Sequence, residues 1–210
     1  MKRELAGKWV WVARAVAIAL VTFHLYTAGA GPLPDMRQRA VHVALGFILT
    51  FALFSPTKKV EQKIPVYDLV LMGITLACCV NVFIKYYWFH THYLWFSLPD
   101  ITMGILMLLL SVEAARRTTG WVFPIFITLA VLYALIGSII PGIFGHKGFD
   151  FIVIIQDLYQ TTKGIWGTIT GISANVVSIF LIFGAFLLFS GGGATFHSSG
   201  KLRFIAQSFH

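Results

Sequence analysis

The segment GTITGISANVVSIFLIFGAFLLFSGGG, residues 167–193, contains no Asp, Glu, Lys or Arg. The uncharged run around it extends from 164 to 200, longer than the roughly 20 apolar residues that carry a helix across a bilayer. Gly167, Gly171 and Gly184 are interspersed with Thr168, Thr170, Ser173, Asn175 and Ser178. Small and hydroxyl-bearing residues let membrane helices approach closely and hydrogen-bond to one another. The same chemistry occurs where transporter helices break near their sites. An all-α, polytopic helical membrane protein is the fold this segment predicts.

Five further uncharged runs precede it, at 15–34, 40–57, 69–84, 101–112 and 118–146. Pro32, Pro34, Pro56, Pro65, Pro99 and Pro141 fall where predicted helices start or stop, and Pro124 falls in a first turn, where it is tolerated. Six transmembrane helices are predicted, at about 9–28, 39–54, 66–87, 99–116, 121–140 and 169–189. The fourth needs Asp100 at its N-terminus, where a carboxylate suits the helix dipole. Arg116 and Arg117 at its other end must snorkel to the headgroups. Residues 86–99 are uncharged but aromatic and His-containing, and read as an interfacial loop. In FDFIVIIQDLYQTTKG, residues 149–164, Ile152, Ile155, Leu158 and Tyr159 recur at helical spacing, with Asp150, Gln156, Asp157, Gln160 and Lys163 on other faces. That pattern predicts one amphipathic interfacial helix.

Composition agrees with a membrane protein. Of 210 residues, 58% are apolar and 11% charged, against about 25% charged in a soluble domain. Cys78 and Cys79 are adjacent inside an apolar run and read as small core residues. The net charge of +8 would suggest nucleic acid in a soluble protein. Here the basic residues lie between apolar runs, so no nucleic-acid partner is expected and the positive-inside rule applies. With the N-terminus cytoplasmic, Lys2, Arg3, Lys8, Lys58, Lys59, Lys63, Arg116, Arg117, Lys201 and Arg203 lie inside, ten in all. Arg37, Arg39, Lys85 and Lys147 lie outside, four in all. The N-terminal region has the outline of a secretory signal, with a basic start, an apolar core at 15–26 and Ala28-Gly29-Ala30. It reads instead as a retained first span, because five more follow.

Few residues could carry chemistry. Glu113 precedes Arg116 and Arg117 by three and four positions, which puts all three on one helix face as a structural ion pair. Asp68 lies near the start of the third span. His24 and His42 both fall near the outer side, and His90 and His92 in the aromatic region. No repeated His spacing or Cys partner supports a haem or metal site, so no cofactor is expected. No nucleophile elbow, phosphate loop or zinc-protease motif is present, so no enzyme is expected.

The order of several segments resembles the tripartite ATP-independent periplasmic (TRAP) transporters, in particular the fused four-plus-twelve-span permeases of the TAXI type. The segments are HLYTAG at 24–29 with GPLP at 31–34, IPVYD at 64–68, VEAARRTTGW at 112–121, IPGIFGHKG at 140–148 and GISANVVSIFLIFGAFLLFSGGG at 171–193. The resemblance implies a small-subunit-like four-helix module at 1–120 and a connecting helix with the start of a large-permease-like domain at 121–193. It implies a component of a secondary transporter for organic solutes, driven by a cation gradient and fed by an extracytoplasmic solute-binding protein. The bacterial inner membrane is the implied location, and a large permease subunit or domain the implied partner. Ser173 and Asn175 match the polar start of the family's span and are the candidate substrate- or ion-binding residues. Residues 194–210 depart from the family pattern and read as a divergent, disordered tail. A truncated fragment not competent for transport alone is the expectation, with a stand-alone scaffold for a partner permease as the alternative. A haem anchor on His24 and His42 is a third reading.

Overall fold

The computed structural model describes residues 2–56 and 62–191. Lys58 and Lys59, which the charge count places inside, and the tail at 194–210 lie outside the described residues. Among the described residues seven longer helices follow in order: α1 (Lys8–Ala30), α2 (Asp35–Leu53), α3 (Val66–Thr91), α4 (Leu98–Thr119), α5 (Val122–Ile136), α6 (Phe151–Gln160) and α7 (Thr168–Phe189), with a short 3-10 turn, Gly142–Phe144, between α5 and α6. Among the described residues there is no strand, only an isolated bridge between Lys2 and Phe54.

Four of these helices, α1, α3, α4 and α7, are long and apolar enough to cross a membrane. Six were expected. The other two predicted spans form helices but fall short for different reasons. α2 carries Asp35, Arg37 and Arg39 in its first turns. α5 has 15 residues, about 22 Å at 1.5 Å per residue, against a hydrocarbon core of about 30 Å. Its predicted extension to residue 140 fails because the chain turns after Ile136. His146 then folds back to donate its amide to the Gly137 carbonyl at 3.0 Å, and Phe149 to that of Ala134 at 2.9 Å.

α2 fails a hydropathy criterion, yet it is the centre of the bundle. It touches α1, α3, α4 and α7. Met36, Ala40, Val43, Ala44 and Phe51 are buried in the main core with Cys78, Cys79, Val82, Phe89, Met107 and Leu110. The small side chains at 40 and 44 let α3 approach closely. α7, in contrast, is the most apolar and the least buried of the four long helices. Hydropathy measures what a helix could offer to lipid, whereas burial depends on which helices surround it.

The expected interfacial loop at 86–99 is largely helical. α3 continues through the aromatic run to Thr91, leaving only 92–97 between helices. Trp88 and His92, four residues apart, stack with ring centroids at 3.8 Å. The amphipathic segment at 149–164 forms α6, whose buried face holds Ile155, Gln156, Tyr159 and Gln160. α6 lies on α4 at Gly104, where an added Cβ would sit 2.7 Å from the Ile155 Cγ2 and 3.1 Å from the Tyr159 Cβ. Gly104→Val therefore overpacks this contact and should lower stability by about 1–3 kcal/mol. Gly73→Ala, with open space around the new methyl, should leave stability unchanged or raise it. Thermal melts of the two variants in detergent check this contrast.

Candidate functional site

A helix leaves its last four carbonyls without intrahelical donors. For α2 these are Thr50 to Leu53, and each finds one. The Phe54 amide donates to Thr50 at 2.9 Å and the Arg3 amide to Leu53 at 2.6 Å. The Arg3 guanidinium Nη1 donates to Phe51 at 3.0 Å and to Ala52 at 3.1 Å. The N-terminal segment thus acts as a C-cap supplied from elsewhere in the chain. Its cation also lies at the negative end of the helix dipole.

The same guanidinium reaches the Asp68 carboxylate at 2.7 Å through Nη2. Asp68 accepts a second bond at 2.7 Å from Arg117 Nη1, which also donates to the Phe54 carbonyl at 3.2 Å. Arg117 sits over the Phe51 ring at 5.0 Å, a cation–π contact. Glu113 bonds Arg117 at 2.6 Å and Arg116 at 2.7 Å. The side chains of Arg3 and Asp68 are fully buried, and that of Arg117 nearly so. Helix spacing groups Glu113 with Arg116 and Arg117. Arg3 and Asp68 were missed as partners, because nothing local in sequence relates residue 3 to residue 68.

At the other end of the bundle a second cluster ties α3, α4 and α6. Asp100 accepts from Lys85 Nζ at 2.7 and 2.9 Å and from Asn81 Nδ2 at 3.0 Å. Asn81 also donates to the Tyr159 hydroxyl at 3.2 Å, which in turn donates to the Cys78 carbonyl at 2.8 Å. The Trp166 indole donates to the Tyr159 carbonyl at 2.7 Å. Burial pushes the Tyr159 phenol well above its ordinary pKa, so it stays protonated and able to donate. Asp100 was expected to serve the helix dipole; it is also a buried counter-ion.

A third group lies between α1, α2 and α7. His24 Nε2 is 3.0 Å from His42 Nδ1, and His42 Nε2 is 3.1 Å from Ser173 Oγ. Gln38 donates to the Thr27 hydroxyl at 3.2 Å. Ser173 opens a π-helical turn, Ser173–Val177, inside α7. Such wide turns often occur where a helix meets a partner group. Gly171 in the preceding turn faces the Arg39 guanidinium, and Arg39 donates to the Trp166 carbonyl. The two histidine rings bond each other directly, which leaves no gap for iron and a macrocycle between them. The haem reading therefore lacks its geometry in this arrangement. Asn175, paired with Ser173 as a candidate, points the other way. It is exposed, and its side chain makes no hydrogen bond among the described residues.

The fold and site together are those of an all-helical bundle with four helices long and apolar enough to cross a membrane and ion pairs locking its interior. No family model matches the chain, and no curated protein or solved structure matches it significantly.

Removing one partner of a buried ion pair leaves an uncompensated charge and costs about 3–5 kcal/mol. Asp68→Asn should destabilise the bundle on that scale, since the buried Arg3 and Arg117 guanidiniums both lose this carboxylate and Arg117 keeps only Glu113. Asp35→Asn removes an exposed carboxylate from its pair with Arg39, which keeps its bond to the Trp166 carbonyl, and should cost less than about 1 kcal/mol. Equilibrium unfolding of both variants in detergent measures the difference.

Proposed function

We propose that the chain is a membrane module of a TRAP-type secondary transporter for organic solutes, placed in the bacterial inner membrane with its N-terminus cytoplasmic. Its role is to scaffold a large permease, which a cation gradient drives and an extracytoplasmic binding protein supplies. One observation carries the scaffold role. α7 presents an unpaired carboxamide, Asn175, on a face that also exposes Ile172, Val176 and Phe183. A polar group in hydrocarbon is expensive, and another helix with a donor or acceptor relieves it. The face is suited to a helix of the permease. The resemblance of the colinear segments between residues 24 and 193 to TRAP permeases supports a partner of that family. The ion-pair clusters keep the module rigid while it docks.

Two measurements test the proposal. Co-expressed with a TAXI-type large permease, the chain should co-purify with it, and Asn175→Leu should reduce the recovered complex several-fold. Recovery of the chain without permease, or full recovery of the Asn175→Leu complex, contradicts it. In spheroplasts, a membrane-impermeant maleimide should label Thr91→Cys but label Lys2→Cys only after lysis. Labelling of Lys2→Cys in intact spheroplasts reverses the orientation.

A further inference from the structure

Arg14 stands six residues beyond the start of α1 at Lys8, about 9 Å along a helix apolar and long enough to span a membrane. A cation at that depth ordinarily faces a counter-charge or a wet interior. Arg14 is exposed and, among the described residues, has no hydrogen-bond or ion-pair partner. Its guanidinium rests over the exposed Trp11 ring at 5.2 Å. The acids of the cluster at the end of α2 are engaged elsewhere: Asp68 lies between Arg3 and Arg117, and Glu113 between Arg116 and Arg117.

Beside Arg14 runs a groove of about 360 Å³ between α1 and the last turns of α2, walled by Leu5, Val10, Ala13, Ala17, Leu49 and Leu53, with Arg3, whose guanidinium is paired with Asp68, also lining it. Its volume falls within the range of small-molecule sites, roughly 300–1,000 Å³. Its walls are largely aliphatic, and Arg14 lines it as a cation without an ion-pair partner among the described residues. We infer that this groove binds one anionic phospholipid, with the phosphate on Arg14 and an acyl chain along the aliphatic wall. A guanidinium matches two phosphate oxygens at once. Charge complementarity therefore selects the anionic lipid over a zwitterionic one. The inference stands on the chain alone and does not depend on the transporter reading.

Native mass spectrometry of the purified full chain, released from detergent holding equal phosphatidylglycerol and phosphatidylcholine, tests it. Phosphatidylglycerol should be retained about fivefold over phosphatidylcholine, the factor that one basic side chain near an anionic surface supplies. Arg14→Gln should bring the two lipids to parity. Ala17→Phe, which fills the groove and keeps the charge, should reduce retention of both. Equal retention by the wild type, or a preference that survives Arg14→Gln, overturns the site. So does displacement of phosphatidylglycerol by equimolar inorganic phosphate, which would make the site one for a free anion. If Arg14→Gln does not fold, undiminished retention in Ala17→Phe overturns the groove. Cross-linking of Arg14→Cys to a permease helix, without lipid preference in the wild type, would assign Arg14 to a partner carboxylate instead.

Discussion

The C-terminus of α2 is the point on which the bundle depends. Four carbonyls there need donors, and three of the four bonds come from Arg3. Arg3 then requires Asp68 at the start of α3, and Asp68 also holds Arg117 at the end of α4. One carboxylate thereby fixes the N-terminal segment, α2, α3 and α4 at a common level. A buried charge is costly unless paired and hydrogen-bonded. Each member of this cluster meets that condition only while the other helices are in place, so the ion pairs specify the arrangement more than they stabilise it. Asp100 performs the matching task at the opposite end, where Lys85 and Asn81 of α3 meet α4 and, through Tyr159, α6.

Between these ends the packing is aliphatic, and the histidine pair joins α1 to α2 and α7. α7 is held at its first half by Ser173 and by the Arg39 bond to Trp166, and is bare along Phe180, Leu181, Phe183 and Phe186. A rigid α1–α4 core with a weakly covered final helix is a form suited to receiving further helices. That division matches the proposed role of a scaffold beside a larger permease.

The helices of the bundle were legible in the sequence because charge-free runs and prolines mark them directly. α1, α3, α4 and α7 each lie within four residues of the expected ends, and α6 follows from the spacing of Ile152, Ile155 and Tyr159. The central place of α2 was not legible. Asp35, Arg37 and Arg39 make it the less apolar helix, while its burial comes from partners far away in sequence. The end of α5 was overextended because Gly137 to Ile140 continue the apolar run, although the return of His146 turns the chain. In the sites, Glu113 with Arg116 and Arg117 could be read from helical spacing. Arg3 with Asp68, Lys85 with Asp100, and His24 with His42 are tertiary contacts, and no local pattern announces them.

α2 lies against four other helices, whereas α5 and α7 are exposed along most of their length. Oxygen accessibility of nitroxide labels, measured by electron paramagnetic resonance on the chain alone in lipid bilayers, separates these two environments. Labels at Val41, Leu45 and Leu49, on the half-buried side of α2, should collide with oxygen less often than labels at Leu132, Phe180 and Phe183. Equal, lipid-like collision rates at all six positions would contradict a bundle built around α2.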